Sequence, residues 1–319
     1  MRKALILPLL GSLLGLSIVR ASAPLSPLDQ FVVGHGFGGA QFVRYENTYR
    51  VPINANGKVG DLTIDTGAAN SVIFRAGLKK FNLTTESTDV AVRGVFGTGT
   101  EKVGLTTIHQ LTMGNLTLLN VKTAVVSDPG SGGLYRPYGL SDGLFGLREM
   151  LRYGVVLDLA NRLILAHPGG PMKGINDGIR SILTKEGYTP IAMSVVDGHL
   201  RVSAMVNGTA CRLVVDTGAF LTVLDQGFAR KARIGGYSTG QYARGFGTNA
   251  RPIRVSQFPE LKVGDFTIRN ASVTISELDS GLLGGGGEQV GGLLGAEYLG
   301  MHGAIFDFNS NTLYLRSKK

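Results

Sequence analysis

An internal repeat constrains the fold of this chain more than any other feature. The segment YRVPINANGKVGDLTIDTGA, which ends at Ala68, matches LRVSAMVNGTACRLVVDTGA, which ends at Ala219, without a gap. Each copy has Arg-Val, then Asn-Gly, then apolar residues, then Asp-Thr-Gly-Ala. Self-similarity of this kind is the sequence signature of a duplicated structural unit. The chain is therefore expected to contain two copies of one folding unit.

Later segments repeat in the same order. RGVFGT at residues 93–98 corresponds to RGFGT at residues 244–248, and LTMGNLTLLNV corresponds to LKVGDFTIRNA. GLFGLREMLRYGVVLDLANRLIL, which starts at Gly143, corresponds to GLLGAEYLGMHGAIFDFNSNTLYL, which starts at Gly292. The copies thus correspond from first strand to last, and the sequence predicts two homologous lobes.

Local patterns indicate that each lobe is built from β-strands. The 47 glycines are scattered among short Val, Ile, Leu, Thr and Phe runs, a pattern typical of strands joined by tight turns. Asn56-Gly57 and Asn207-Gly208 have the residues that two-residue hairpin turns favour. We predict an all-β fold of two homologous β-barrel lobes with a cleft between them. Its helices are expected to be few and short, two of them following Gly146 and Gly295.

The repeat also suggests domain boundaries. We assign a signal peptide to residues 1–23, an N-terminal extension to residues 24–48, the first lobe to residues 49–168, a linker to residues 169–190 and the second lobe to residues 191–319.

Two segments outside the repeat have predicted structures of their own. In the linker, Asn176 or Asp177 is expected to cap a short helix that ends at Gly187. In the extension, residues 30–33 are expected to add a strand at the lobe interface.

The N-terminus has the pattern of a secretory signal peptide. Arg2 and Lys3 precede an apolar stretch at residues 4–19, and small residues follow at 21–23. The apolar stretch is shorter than the roughly 20 residues of a membrane-spanning helix, so cleavage is favoured over an uncleaved anchor. A cut just before Ser22 is favoured over a cut after Ala23, because Pro24 would follow the latter directly. We expect a secreted or periplasmic protein with no membrane span after cleavage.

Composition argues against several other function classes. The formal charge of +9 comes from dispersed Lys and Arg residues, with no tryptophan, so a nucleic-acid site is not expected. The one cysteine, Cys211, lies in a predicted strand, so thiol catalysis is not expected. The five histidines form no HExxH motif, and no GxSxG motif occurs, so neither a metal site nor a serine hydrolase site is predicted. No cofactor is implied.

The repeated Asp-Thr-Gly carries the functional prediction. One copy is an ordinary turn sequence, but two copies in matched contexts are specific. Over residues 50–315 the chain resembles the aspartic peptidases of the pepsin and retropepsin group, in which an Asp-Thr-Gly from each of two lobes meets at the bottom of a cleft. The resemblance implies that Asp65 and Asp216 are the catalytic residues of an aspartic endopeptidase acting on peptide or protein substrates. Two carboxyls in contact share one proton, so one acts as base and one as acid toward a bound water.

The resemblance also assigns supporting roles to the neighbours of each aspartate. Glycines turn the backbone so that N–H groups approach the carboxylates, and threonine hydroxyls reach the opposite lobe's backbone. The alanines stand where pepsin-like members carry Ser or Thr. These loop residues are Thr66, Gly67, Ala68, Thr217, Gly218 and Ala219.

Glycine-rich segments follow each aspartate where the family has a hairpin that closes over the substrate. The expected flap and substrate-binding residues are Gly94, Phe96, Gly97, Gly245, Phe246 and Gly247. A flap in each lobe is similar to a retropepsin dimer fused into one chain. The chain is therefore expected to act as a monomer.

A second function class stays open at this point. A catalytically silent peptide-binding or inhibitor protein could share this fold, because fold alone does not establish activity. The intact Asp-Thr-Gly in both copies favours the peptidase. Loss of peptide cleavage on changing either aspartate distinguishes the two.

Overall fold

The computed structural model of the chain describes residues 25–92, 101–128, 140–243, 250–279 and 289–317. The strands up to the linker are β1 (Gly38–Gln41), β2 (Val43–Tyr45), β3 (Thr48–Ala55), β4 (Lys58–Ile64), β5 (Val72–Phe74), β6 (Glu86–Val92), β7 (Glu101–Met113), β8 (Leu116–Val126), β9 (Gly143–Phe145), β10 (Val156–Asp158) and β11 (Leu163–Ala166). The later strands are β12 (Thr189–Val196), β13 (His199–Val206), β14 (Thr209–Val215), β15 (Val223–Asp225), β16 (Tyr237–Ala243), β17 (Arg251–Val263), β18 (Phe266–Ser276), β19 (Val290–Leu294), β20 (Ile305–Asp307) and β21 (Thr312–Leu315). The α-helices are α1 (Pro27–Gly34), α2 (Arg75–Lys80), α3 (Leu147–Arg152), α4 (Asn176–Lys185), α5 (Gln226–Lys231) and α6 (Ala296–Met301), with a 3-10 turn at Lys173–Ile175.

The two lobes have the same strand order. In the first lobe the order is β3-β4-β9-β5-β8-β7-β6, and an additional pairing of β3 with β7 closes the sheet on itself. In the second lobe the order is β13-β14-β19-β15-β18-β17-β16, with an additional pairing of β13 with β17. The predicted architecture of two homologous, mainly β lobes is confirmed.

Each lobe opens with the predicted hairpin. The φ angles are 50° and 87° at Asn56 and Gly57, and 48° and 75° at Asn207 and Gly208. A two-residue turn of this type needs positive φ at both central residues, which Asn-Gly adopts at low cost. The turns set β4 antiparallel to β3 and β14 antiparallel to β13. The second strand of each hairpin therefore leads directly into Asp-Thr-Gly-Ala.

A six-stranded layer joins the lobes. Its order is β1-β11-β10-β20-β21-β12, and β10 of the first lobe pairs antiparallel with β20 of the second, with Val156 opposite Asp307. A buried apolar cluster connects this layer to α1 and α4. Its members are Leu28, Val32, Phe37, Val156, Leu163, Leu165, Ile175, Ile179, Leu183, Tyr188, Ile305 and Tyr314. Because strands of both lobes share this layer, it holds the lobes in a fixed relation.

The prediction for residues 30–33 is wrong, because they lie in α1 and not in a strand. Ser26 accepts a hydrogen bond from the N–H of Asp29, and Pro27 occupies the first turn, two features that start helices. The strand that the extension adds to the interface is β1, which pairs with β11. The extension thus contributes both a helix and a strand to the layer between the lobes.

The linker helix forms as α4, but its predicted cap is wrong. Ile175 is the N-cap residue and makes no side-chain cap hydrogen bond, whereas Asn176 and Asp177 lie inside the first turn. The 3-10 turn that precedes α4 explains the difference, since its backbone leads straight into the helix. Gly187 follows the helix with a φ of 82°, as its predicted role at the end requires.

The predicted short helices after Gly146 and Gly295 are α3 and α6. In the described parts of the chain, no helix combines the length and apolar character needed to cross a membrane.

Candidate active site

Each Asp-Thr-Gly-Ala segment directly follows a central strand of its lobe. Strand β4 pairs in parallel with β9, and β14 pairs in parallel with β19. The N–H of Asp65 donates to the carbonyl of Phe145 at 3.0 Å, and the N–H of Asp216 donates to the carbonyl of Leu294 at 3.0 Å. The GLFG and GLLG elements therefore hold the backbone of the two aspartates.

Within each loop, backbone N–H groups hold one carboxylate oxygen. Oδ1 of Asp65 accepts from the N–H groups of Gly67 and Ala68, both at 2.9 Å. In the second lobe, the equivalent N–H groups donate to Oδ1 of Asp216 at 2.8 and 3.0 Å. Two donors on the same oxygen fix the orientation of each carboxyl and favour its ionised form.

The threonines tie the two loops together across the lobe interface. Thr66 Oγ1 donates to the carbonyl of Val215 at 2.8 Å and accepts from the N–H of Thr217 at 3.0 Å. Thr217 Oγ1 donates to the carbonyl of Ile64 at 2.8 Å and accepts from the N–H of Thr66 at 3.0 Å. Both threonines are 0% exposed. Four reciprocal hydrogen bonds thus fix the relative position of the aspartate loops.

The glycines leave room for the opposite carboxyl. A Cβ at Gly67 would lie 2.4 Å from Cγ of Asp216, and a Cβ at Gly218 would lie 2.5 Å from Cγ of Asp65. Carbon atoms do not approach a carboxyl this closely, so each loop needs glycine for the other lobe's aspartate to fit. The structure thereby brings Asp65 and Asp216 together.

The two carboxyls interact directly in a desolvated site. Asp216 is 6% exposed, Asp65 is partly exposed, and each carboxyl affects the pKa of the other. Burial raises the pKa of Asp65, and the N–H groups of Ala68 and Gly67 partly offset this effect. Burial and the neighbouring charge of Asp65 raise the pKa of Asp216 to about 8. Since both carboxyls cannot readily ionise together, the pair retains one proton over a wide pH range.

A second pair of acids, which the sequence analysis missed, supports the loops from behind. The N–H and hydroxyl of Ser71 donate to Oε2 of Glu149 at 3.1 and 2.5 Å, and the hydroxyl accepts from the last N–H of GLFG at 2.9 Å. In the second lobe, the N–H of Thr222 donates to Oε1 of Glu297, and its hydroxyl accepts from the last N–H of GLLG at 2.9 Å. The available signal was a hydroxyl residue at the same distance after each aspartate, together with a glutamate early in each following helix.

The predicted flap residues lie outside the described part of the chain. They are Gly94, Phe96, Gly97, Gly245, Phe246 and Gly247. The strands on either side of these segments are described: β6 pairs antiparallel with β7, and β16 pairs antiparallel with β17.

Other chemistry has little support in the described ranges. No group of three or more His, Cys, Asp or Glu side chains is placed there to hold a metal ion. Burial raises the pKa of Cys211, in β14, to about 12, so its thiol stays protonated and is a poor nucleophile.

Comparisons with known proteins bear on the family and the fold of this chain. The family model described as Aspartyl protease matches residues 51–148 and 202–298, and each match contains one Asp-Thr-Gly-Ala segment. The fold is similar to that of an aspartic proteinase from Irpex lacteus, with a TM-score of 0.51 and 12% sequence identity over 89% of this chain and 98% of that chain. A retropepsin-like aspartic protease from Rickettsia conorii aligns with a TM-score of 0.30 and 17% identity over 41% of this chain and 90% of that chain. A search of curated proteins found no match.

Proposed function

The chain belongs to the aspartyl protease family, and from this premise we propose that it is an aspartic endopeptidase whose catalytic carboxyls are Asp65 and Asp216. One observation carries the proposal: two carboxyls, one from each lobe, follow equivalent strands, and each lies against the glycine of the opposite Asp-Thr-Gly. The loops around them interlock through reciprocal threonine hydrogen bonds. Such rigidity holds catalytic groups in place before the substrate arrives.

The proposed reaction uses water as the nucleophile. The raised pKa values keep one proton on the pair, so the ionised carboxyl can accept a proton from a water bound between them. The protonated carboxyl donates a hydrogen bond to the oxygen of the scissile carbonyl while the water oxygen attacks the carbon. The tetrahedral intermediate then releases the amine, whose nitrogen takes a proton from the pair. The enzyme forms no covalent bond to the substrate and needs no cofactor.

We further propose that the protein acts as a monomer. Both carboxyls, both threonines and both glycines come from the same chain, and the six-stranded layer between the lobes fixes their relation. A second copy therefore has no catalytic group to contribute.

Two variants test the catalytic assignment. Asp65→Asn and Asp216→Asn each keep the shape of the side chain but remove the shared proton and the base. Each should lower kcat/KM for cleavage of a mixed peptide library by about 10³-fold or more. Asp265→Asn is the matched control, since Asp265 is exposed in the turn between β17 and β18 and its counterpart in the first lobe is Asn115. Near-normal cleavage by either of the first two variants would show that the pair is not the catalytic centre.

The same measurements separate the peptidase from a silent binding protein. A peptidase should cleave the library at some pH, and a statine-type transition-state analogue should inhibit it. A folded wild-type protein that binds the analogue but cleaves no peptide between about pH 3 and pH 8 would favour the binding protein.

Export is also a proposal, supported by the charged and apolar pattern at residues 1–23. N-terminal sequencing of the protein from a secreting host should find a cut just before Ser22. A cell-associated protein that still begins at Met1 would contradict export by this segment.

A further inference from the structure

The first lobe holds the Asp216 loop at two points besides the threonine contacts. The hydroxyl of Tyr49, on β3, donates to the carbonyl of Ala296, the first residue of α6, at 3.2 Å. Nδ2 of Asn47, in the turn between β2 and β3, donates to the carbonyl of Phe220 at 3.0 Å. Both acceptors belong to the second lobe. The pair of strands β2 and β3 therefore contributes two further hydrogen bonds across the lobe interface.

Both contacts lie close to the N–H groups that hold the carboxyl of Asp216. The N–H of Ala296 donates to the carbonyl of Ala219 at 2.8 Å, and the N–H of Ala219 donates to Oδ1 of Asp216 at 3.0 Å. Phe220 follows Ala219 directly in the chain. A displacement of either acceptor carbonyl would therefore move Ala219, and with it one of the two donors to the carboxyl.

The surroundings of Tyr49 suit a tyrosine that donates from its hydroxyl. Its side chain is fully buried, and burial raises its pKa, so the hydroxyl stays protonated. A Cβ at Gly300 of α6 would lie 2.5 Å from the hydroxyl oxygen, so glycine leaves the space that the hydroxyl occupies. The guanidinium of Arg44 lies 5.8 Å from the centre of the Tyr49 ring, and its Nη2 donates to Oδ1 of Asn47 at 3.0 Å. Arg44 thus contacts both donors.

The reciprocal positions in the second lobe cannot make these hydrogen bonds. The repeat places Leu200 at the position of Tyr49 and Gly198 at the position of Asn47. Leucine has no hydroxyl and glycine has no side chain, so neither residue can donate in the same way. Gly198 still lies against the first aspartate loop, since an added Cβ would be 3.1 Å from Cβ of Ala69. The turn has the equivalent place but lacks the donor.

The two helices that follow GLFG and GLLG differ in a matching way. On α6 the residues beside the Tyr49 hydroxyl are small, whereas their counterparts on α3 are both leucines. The equivalent pairs are Ala296 with Leu147 and Gly300 with Leu151. Leu200 belongs to the same apolar cluster as these two leucines. The two lobes therefore differ on both sides of this contact, with a hydrogen bond in one direction and apolar residues in the other.

We propose that Tyr49 and Asn47 are positioning residues that hold the Asp216 loop, and not the Asp65 loop, in the geometry that catalysis requires. This inference rests on the proposed endopeptidase function and goes beyond it, because it makes the two halves of a nearly symmetric site unequal. The two residues act through the backbone around Ala219. They should therefore affect the rate of the chemical step more than the binding of substrate.

The first test removes the hydroxyl of Tyr49 alone. Tyr49→Phe should lower kcat for a peptide substrate about tenfold and leave KM within about twofold of the wild type. Tyr298→Phe is the matched control. Tyr298 is also buried, and its hydroxyl donates to the backbone carbonyl of Ser272 at 2.9 Å, but this contact lies within the second lobe. Tyr298→Phe loses a similar hydrogen bond and should keep the wild-type kcat.

The second test removes the other donor. Asn47→Asp keeps the size of the side chain and the acceptor for Arg44, but it cannot donate to the carbonyl of Phe220. The side chain of Asn47 is only half-buried, so kcat should fall by less than in Tyr49→Phe, again with little change in KM. This variant serves if Tyr49→Phe does not fold. Asn120→Asp, at an exposed position of β8, is its control.

Hydrogen–deuterium exchange followed by mass spectrometry gives a readout that does not need activity. In Tyr49→Phe, peptides that contain residues 217–221 should exchange about tenfold faster than in the wild type, while peptides that contain residues 66–70 should not change. If the wild type cleaves no peptide, the proposed function fails, and this exchange pattern alone decides whether the loop is held as proposed.

The outcomes separate a positioning role from a merely structural one. Faster exchange confined to residues 217–221, together with a loss in kcat in an active enzyme, supports the proposal. Tyr49→Phe and Asn47→Asp would overturn it if they matched their controls in kcat and exchange, if both aspartate loops exchanged faster to the same extent, or if the loss lay in KM alone. A change in exchange with an unchanged kcat would also overturn it, because the position of the loop would then not limit catalysis.

Discussion

In the first lobe Oδ1 of Asp65 accepts two N–H groups at 2.9 and 2.9 Å, and in the second lobe Oδ1 of Asp216 accepts the equivalent groups at 2.8 and 3.0 Å. The residues that support these loops differ between the two lobes. The supporting glutamate is the third residue of α3 but the second residue of α6. The two lobes thus share the geometry at the carboxyls and differ in the residues that support it.

The difference shows which contacts are constrained. The cross-lobe contacts of the threonines and glycines are reciprocal, so a change in one lobe alters the position of the other lobe's aspartate. The supporting contact is internal to each lobe and requires only an acceptor for the N–H of Ser71 or Thr222. Neighbouring helix positions can supply that acceptor. The helix position not used for this purpose is Arg148 in the first lobe and Tyr298 in the second.

Among the variants that compare the two lobes beyond the aspartates themselves, the largest effects should come from the glycines. Gly67→Ala and Gly218→Ala each place a methyl within 2.5 Å of the opposite carboxyl, so the carboxyl must move. A displacement of about 1 Å costs about 100-fold in rate, and both variants should lose at least that much in kcat/KM. Gly174→Ala is the control, because no atom lies within 4 Å of the added Cβ. A large loss in one variant and none in the other would show that the contact is not reciprocal.

Removing the threonine hydroxyls should give the next largest effect, measured as stability. Thr66→Val and Thr217→Val each remove two buried hydrogen bonds and leave an N–H and a carbonyl of the opposite lobe unpaired. Each should lower the free energy of unfolding by about 2–4 kcal/mol in urea titrations. Thr66→Ser and Thr217→Ser keep the hydroxyl and should lose much less. Equal losses for Ser and Val would assign the effect to packing.

The sequence predicted what the repeat and local turn chemistry encode. The two Asn-Gly turns, the strands leading to Asp65 and Asp216, and the short helices after GLFG and GLLG all follow from short-range patterns. The strand predicted for residues 30–33 is wrong because Ser26 and Pro27, just before that segment, start a helix that includes it. The six-stranded layer depends on pairing between β10 and β20, a long-range contact with no local signal.

The supporting glutamates were missed for a different reason. Glu149 and Glu297 are offset by one helix position between the copies, so an alignment of the repeat does not pair them. Their shared role, which is to support the aspartate loops, follows from their contacts with Ser71 and Thr222, and these contacts depend on the folded structure.

The glutamates should differ when each is changed to Gln. Oε2 of Glu149 accepts from Ser71 and Oε1 accepts from Arg148, so an amide nitrogen must face a donor in Glu149→Gln. We expect a loss of about 1–3 kcal/mol in the free energy of unfolding. Oε1 of Glu297 accepts from the N–H of Thr222, and an amide oxygen can keep that contact, so Glu297→Gln should cost less. Urea titrations at about pH 7 measure both.

The pH dependence of the free energy of unfolding gives a further test of Glu297→Gln. Burial raises the pKa of Glu297 above its ordinary 4.5, so the folded protein binds this proton more tightly than the unfolded chain does. Wild-type stability contributed by this group is full below pH 4.5 and falls as the pH rises through the raised value. Glutamine does not titrate. The cost of Glu297→Gln should therefore shrink with rising pH, and a cost that grows would contradict the raised pKa.

The smallest effect should come from Ala68 and Ala219, which directly follow Asp-Thr-Gly in the two lobes. Ala68 and Ala219 donate their N–H groups to the carboxyls, but their methyl side chains cannot donate a further hydrogen bond. A serine hydroxyl at each position would donate to the outer carboxylate oxygen and stabilise the ionised form. Because burial raises the pKa values of both carboxyls, we expect the wild type to work best in weakly acidic conditions.

Changing both alanines to serine should lower the pKa values of the pair, so the acidic limb of the kcat/KM profile should move to lower pH by about half a unit to one unit. The kcat/KM profile is the right readout because it reports the free enzyme. Each single variant should give part of the shift in the acidic limb. Equal shifts from the two single variants would show that the two lobes contribute equally to the titration of the pair. Ala76→Ser, at an exposed position of α2, controls for an added hydroxyl. An unchanged acidic limb in a folded double variant would show that burial alone sets the titration, since the added donors would then have no influence on the shared proton.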